Sequence, residues 1–145
     1  MMTKTLSIIV PVYNEERTVV RILDALVAVR IPDWGLQIIV VDDGSCDATG
    51  EKIVSWVREA PDRGGVQMVR HSNNRGKGAA IRSGLGHATG NAVLIQDADL
   101  EYDPADIPRL LDAYGEGVDA VFGSRNLAPT GKGYWHFVAG VKALT

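Results

Sequence analysis

The sequence predicts an α/β fold: three layers, α/β/α, around a mainly parallel sheet. Three observations carry that prediction. Apolar, β-branched runs alternate along the chain with stretches whose apolar residues recur at helical spacing. The runs are apolar at nearly every position, the pattern of strands covered on both faces. Polar clusters gather where the runs end, and open α/β sheets bind ligands at the carboxyl ends of their strands. These clusters are Tyr13-Asn14-Glu15, Asp42-Asp43-Gly44-Ser45, Asp97-Ala98-Asp99 and Ser124-Arg125.

Each element has its own signal. Leu6 to Val12 reads as a buried strand. Thr18 to Arg30 reads as a helix, with Val19, Ile22, Leu23, Leu26 and Val29 on one face. Leu36 to Val41 is a second strand, stopped by the acidic turn at Asp42. Ala48 to Glu59 is helical, with Ser45 or Asp47 placed to cap it. Val66 to Val69 is a third, weaker strand, and Gly76 to Ala88 a helix whose small residues imply close packing. Ala92 to Gln96 is the fourth strand. Asp103-Pro104 starts a helix, with Asp as N-cap and Pro in the first turn, and Ile107, Leu110 and Leu111 follow on one face. Asp119 to Gly123 is the fifth strand. Asn126 to Gly133 reads as a loop, and Tyr134 to Val141 as the start of an amphipathic or interfacial helix that the chain end interrupts.

Composition narrows the function. The chain has 145 residues, enough for one domain with a real core. A net charge of −3, with no basic stripe interleaved with aromatics, argues against nucleic acid as a partner. The single cysteine, Cys46, excludes an internal disulfide and a Cys-based zinc site and suits a reducing cytoplasm. The apolar run at Leu6 is too short for a signal peptide or a membrane span.

The most informative motif is Asp97-Ala98-Asp99. In extended backbone, side chains two apart point the same way, so both carboxylates project to one side where a strand surfaces. Glu101 joins them if the chain stays extended. Hard oxygen ligands of this kind suit Mg²⁺ or Mn²⁺, the cations that hold diphosphates. Alone, the pattern also fits a solvated loop or a helix cap. Asn74-Arg75-Gly76-Lys77-Gly78 resembles a phosphate loop but fails the Walker pattern, since His71 stands for the first Gly and Gly78 for the Ser or Thr. A glycine-rich helix start with a lysine can still attract an anion. His71, His87 and His136 share no ligand spacing and are expected to pack or sit at the surface, and no nucleophile elbow is present.

Taken together, these segments resemble the family 2 glycosyltransferases of the A-type (GT-A) fold, a Rossmann-like nucleotide-diphospho-sugar transferase fold. The chain is most similar to the dolichol- or polyprenol-phosphate mannosyl- and glucosyltransferases. The matching segments run in order from Ile8-Ile9-Val10-Pro11-Val12-Tyr13-Asn14-Glu15, through Asp42-Asp43-Gly44-Ser45, Asn74-Arg75-Gly76-Lys77-Gly78 and Asp97-Ala98-Asp99-Leu100-Glu101, to Gly123-Ser124-Arg125. The resemblance implies roles. Pro11, Tyr13 and Glu15 line the nucleotide pocket, and Asp42 contacts the base. Asp97, with Ala98 beside it, and Asp99 bind metal and diphosphate. Glu101 completes the metal shell, where mannosyl members often carry Gln. Lys77 and Arg125 face phosphate, and Asp99 and Arg125 are the catalytic candidates.

The resemblance further implies an inverting, Mg²⁺- or Mn²⁺-dependent hexosyl transfer from GDP-mannose or UDP-glucose to a polyprenyl phosphate. The alternatives are a polysaccharide or glycolipid acceptor, a nucleotide-sugar-binding fragment without turnover, and a nucleotidyltransferase. Residues 1–125 are then the donor-binding core, and 126–145 a loop and the incomplete start of an acceptor- or membrane-associated segment. Through that segment the protein is expected to contact the cytoplasmic face of the membrane peripherally, or to pair as a homodimer.

Overall fold

The computed structural model describes residues 4–59, 65–122 and 137–140. The elements in chain order are β1 (Lys4–Val12), α1 (Val19–Ala28), β2 (Trp34–Asp42), α2 (Thr49–Glu59), β3 (Val66–Arg70), α3 (Lys77–His87), β4 (Ala92–Ile95), α4 (Ile107–Ala113), β5 (Ala120–Phe122) and β6 (Phe137–Gly140). Against the sequence reading, most boundaries move by one or two residues, the usual fraying of element ends.

The sheet has the order β3-β2-β1-β4-β6-β5. β1 runs parallel to β2 and β4, β2 runs parallel to β3, and β6 is antiparallel to both β4 and β5. Handedness places the helices. Crossovers between parallel strands are right-handed. The steps β1→β2→β3 move outward in one direction, so α1 and α2 share a face. The step β3→β4 returns the other way, so α3 lies on the opposite face.

The packing follows. Leu6, Ile8 and Val10 of β1 and Ile38 and Val40 of β2 join Val19, Ile22, Leu23, Leu26, Ile53 and Trp56 in the larger core, with Ile107 and Leu111 of α4. The alternate residues Ile9, Ile39, Val41 and Val93 face Ala80 of α3 in the smaller one. This period-2 division of a continuously apolar run explains why the strands carry no polar alternation.

One expectation is corrected. Over its described part, the segment expected to be helical from Tyr134 forms strand β6, seated between β4 and β5. Phe137 and Val138 are strand-forming residues, and the edge of β4 offers the segment unpaired N–H and C=O groups. A four-residue strand leaves no periodicity from which its type could be told. Asp103 behaves as expected: its Oδ1 accepts from Ala105 N at 2.9 Å at the head of a single 3-10 turn, Pro104–Asp106, that leads into α4.

The small residues of α3 serve close approach to the sheet. A Cβ at Gly84 would lie 2.5 Å from Cγ2 of Ile9, a fully buried branched side chain with nowhere to move. Gly86, two residues on, has no neighbour within 4 Å. Gly84→Ala is therefore expected to destabilise by about 1–2 kcal/mol, overpacking outweighing helix propensity. Gly86→Ala is expected to stabilise by up to about 1 kcal/mol. Urea midpoints of the two variants check the pair.

Candidate functional site

The site exists because two neighbouring strands have unequal lengths. β4 stops pairing at Ile95 opposite Ile9, while β1 continues three residues to Val12. Beyond the end of β4 a cleft of about 270 Å³ opens at the carboxyl edge of the sheet. It lies where the strand order reverses, the switch point at which such sheets bind ligands. Pro11 fits this place. In a parallel ladder, alternate residues bond alternate neighbours. Gln96 N donates to Ile9 O at 2.9 Å and Asp43 N to Val12 O at 2.9 Å, so the missing N–H of Pro11 falls on the β4 side, where the partner strand has ended.

The turn after β1 is stitched to the turn after β2. Asn14 adopts φ +54, a left-handed conformation that Asn tolerates. Its N–H donates to Ser45 Oγ at 3.0 Å, and its Oδ1 accepts from Cys46 N at 2.9 Å. Glu15 N donates to Thr49 Oγ1 at 2.8 Å, and Ala48 N to Glu16 Oε2 at 3.1 Å. Asp47 caps α2 through Thr49 N at 2.9 Å. Burial opposes its ionisation, but the Thr49 hydroxyl and the N–H donors of Thr49 and Glu16 outweigh it and hold its carboxyl below the ordinary range. These bonds present Tyr13, about half exposed, at the cleft mouth, with Pro11, Val12 and Glu15 around it.

The two acids at the end of β2 diverge, as successive residues of extended chain must. Asp42 turns away from the cleft: its Oδ1 accepts from Ser45 N at 2.9 Å, and Arg70 Nε lies 3.2 Å from Oδ2 as an ion-pair partner. Asp43 lines the cleft. Its Oδ1 takes His71 Nδ1 at 2.6 Å and Arg75 N at 3.0 Å, and its Oδ2 takes Gly76 N at 2.8 Å. Burial favours the neutral carboxyl, but the bonds from His71, Arg75 and Gly76 and the charge of His71 win and hold Asp43 below the ordinary carboxylate value.

On the facing wall stand Asp97, Ala98 and Asp99. Lys77, the first residue of α3, sets its ammonium 2.5 Å from Asp97 Oδ1. Asp99 Oδ1 accepts from Glu101 N at 3.0 Å, and Leu100 between them has φ +64. That left-handed residue breaks the extended course on which three aligned carboxylates depended. Glu101 is exposed and does not line the cleft. Among the described residues no three His, Cys, Asp or Glu side chains cluster to hold a metal ion. Of the three expected carboxylates, Asp97 and Asp99 line the cleft and Glu101 does not. Two carboxylates still suit a divalent cation whose remaining ligands come from phosphate and water, the usual arrangement for Mg²⁺, and Lys77 on Asp97 is itself a cation at that carboxylate. Arg125 lies outside the described residues.

Pro11, Tyr13, Glu15, Lys77, Asp97, Ala98 and Asp99 are thus brought to one cleft, together with Asp43 and Asn74, which sequence reasoning did not single out. Asp43 was hidden by its neighbour: nothing in a pair of adjacent acids says which one faces the ligand. His71 is buried, as a packing role predicts, yet both ring nitrogens are engaged.

Comparison with known proteins agrees with the geometry. The sequence model of glycosyl transferase family 2 matches residues 7–140. An undecaprenyl-phosphate 4-deoxy-4-formamido-L-arabinose transferase from Edwardsiella ictaluri is 39% identical over 79% of this chain. A mannosyltransferase from Pyrobaculum calidifontis, solved with GDP-Man and Mn²⁺, superposes with a TM-score of 0.69 at 30% identity, covering 79% of this chain and 34% of that one. A glucosyl-3-phosphoglycerate synthase from Mycobacterium tuberculosis, solved with Mn²⁺, UDP and glucosyl-3-phosphoglycerate, gives 0.64 at 25% identity, covering 81% of this chain and 42% of that one. The chain spans between 35% and 38% of the length of such curated relatives.

The Asp43 cluster makes a pH prediction. A folded pKa below the unfolded one contributes stability that is present above the unfolded value and lost as pH falls through the folded value. Asp43→Asn, which turns an amide toward N–H donors, is expected to cost about 1–3 kcal/mol at neutral pH. The gap between wild type and variant should be flat down to about pH 5 and narrow below about pH 4. Thermal melts of both proteins across that range check it.

Proposed function

Because this chain belongs to glycosyl transferase family 2, we propose that it forms the donor half of an inverting transferase moving a hexose from a nucleotide diphospho-sugar to a polyprenyl phosphate. The observation that carries the reading is Asp97 and Asp99 facing Lys77 in one cleft at the switch point of the sheet. Carboxylates alone repel a diphosphate, and lysine alone does not select one. Side by side they fit a diphosphate that arrives with a divalent cation. The nucleotides bound to the two solved neighbours, GDP-Man in one and UDP in the other, both with Mn²⁺, support a metal and keep GDP-mannose and UDP-glucose as the candidate donors. The name of the Edwardsiella relative supports the acceptor.

In this reading Pro11, Tyr13 and Glu15 hold the nucleoside end. Asp42, expected at the base, secures the wall behind it through Ser45 and Arg70. Asp97 and Asp99 would hold Mg²⁺ or Mn²⁺, which neutralises charge on the departing diphosphate. Lys77 pairs with a phosphate oxygen, and Arg125 binds phosphate with its bidentate fork. The acceptor oxygen is already anionic, so no strong general base is required. It attacks the anomeric carbon, the bond from that carbon to the diphosphate oxygen breaks, and the nucleoside diphosphate leaves with the electron pair. The acceptor's lipid tail would bring the protein to the cytoplasmic membrane face. No helix among the described residues is long and apolar enough to cross a membrane. Since the chain spans about a third of its relatives' length, donor binding without transfer is the second reading.

Three measurements test this. A panel of GDP- and UDP-sugars with and without Mn²⁺ should stabilise the fold by about 2.7 kcal/mol at a hundredfold excess over Kd, for one base and only with metal. Asp99→Ala should weaken Mn²⁺-dependent nucleoside diphosphate binding in calorimetry by about tenfold or more, and unchanged affinity would remove Asp99 from the metal. With the full-length protein, Arg125→Lys should slow transfer to a short polyprenyl phosphate by about tenfold through loss of the fork.

A further inference from the structure

We infer that His71 is a positioning residue for the phosphate-facing edge of the cleft, acting through Asp43 on the segment that carries Asn74 and Lys77. The inference rests on the donor-binding reading above. His71 is 7% exposed and follows β3 directly. Its Nδ1 lies 2.6 Å from Asp43 Oδ1 and its Nε2 lies 2.8 Å from Ser83 Oγ of α3. Asp43 is ionised and can only accept, so Nδ1 carries the hydrogen and donates it. Nε2 then pairs with the Ser83 hydroxyl, which can either donate to it or accept from it. Asp43, with its side chain fixed by the ring, takes the N–H of Arg75 and of Gly76.

The same segment is held at two further points. His71 N donates to Asp42 O at 2.9 Å. Gly44, at φ +73, lies so close that a Cβ there would be 2.4 Å from the carbonyl carbon of Asn73. The path from His71 to the cleft is therefore short and rigid. The ring fixes the Asp43 carboxylate, which fixes the Arg75 and Gly76 amides. Those amides set the start of α3, where Lys77 faces Asp97. Residues 73 and 74 are pressed on Gly44, so a shift of the loop moves Asn74 and Lys77 together, and both line the cleft.

The order Ser83–His71–Asp43 is that of a hydrolytic triad, but nucleophilic chemistry does not follow. Ser83 sits inside α3, beyond its first turn, where N–H groups are committed to carbonyls four residues back, so none beside its hydroxyl is free to stabilise an oxyanion. What the chain of bonds can do is orient.

Three variants of the 145-residue chain test this. His71→Asn puts an amide N–H near the place of Nδ1 and keeps the donor to Asp43. His71→Gln puts its amide near Nε2 and keeps only the Ser83 side. His71→Leu keeps bulk and loses both. Calorimetry with GDP and with UDP, each with Mn²⁺, reads the cleft. Amide hydrogen exchange at Arg75 and Gly76, with β1 amides as control, reads the loop, and thermal melts read the fold.

Leu and Gln should each weaken nucleoside diphosphate binding by about tenfold and speed Arg75 and Gly76 exchange by about tenfold, β1 exchange staying as in wild type. Asn should stay within about threefold of wild type on both readouts even if its melting temperature drops as far as that of Gln. If Leu matches wild type in affinity and exchange, or if Gln restores both as well as Asn does, the inference falls. Should Leu fail to fold, the comparison of Asn with Gln decides it alone. A wild-type chain that binds neither nucleotide overturns the donor-binding reading, and the exchange measurements then decide the role of His71 by themselves.

Discussion

Everything at the carboxyl edge of this protein depends on β1 outrunning β4. A strand in the middle of a sheet is bonded on both sides, and a partner that stops early leaves backbone groups that must be satisfied or absent. Here Pro11 removes the donor that would face the gap, and the strand turns through Asn14 immediately after Val12. The gap becomes the cleft. Chain reversal at the switch point brings the ends of β1, β2 and β4 and the start of α3 to its rim, so residues far apart in sequence face one volume.

The cleft walls are rigid for electrostatic reasons. Asp43 is buried and charged, which is costly unless its lone pairs are filled. Filling them takes a ring nitrogen and two backbone N–H groups from the segment before α3, so desolvating one carboxylate fixes an entire loop. Asp42, equally buried, is held through Ser45 N on Oδ1 and by the half-exposed Arg70 as the ion-pair partner of Oδ2, an oxygen that takes no hydrogen bond. Two adjacent acids thus hold the walls, while the two acids of the facing turn, Asp97 and Asp99, remain partly free for a ligand. Lys77 on Asp97 balances charge in a cleft lined by the carboxylates of Glu15, Asp43, Asp97 and Asp99, and the pair is exposed enough for a competing cation or phosphate to exchange with it.

Much of this was legible in the residues. The strands were readable because burial on both faces demands continuous apolar runs, as in Leu6 to Val12. Asp103-Pro104 announced its helix start because capping is local chemistry. Asp97 and Asp99 were readable as a pair because residue i and residue i+2 of an extended chain share a side. Glu101 was not, because the extension fails at Leu100, whose left-handed backbone no rule of alternation foresees. The strand at Phe137–Gly140 was not legible either. Four residues carry no period, and what makes them a strand is the exposed edge of β4, a partner more than forty residues away in sequence.

The sequence by itself determined the fold class, the order of the elements as far as β5 and the family, because these rest on periodicity and on motifs whose residues are neighbours in the chain. Only the tertiary structure decided which acid of Asp42-Asp43 faces the cleft, that His71 is bound at both nitrogens, and that Lys77 meets Asp97. Those are relations between segments that touch only once the sheet has formed, and their free energy comes from burying charge against specific donors, which no single segment can show.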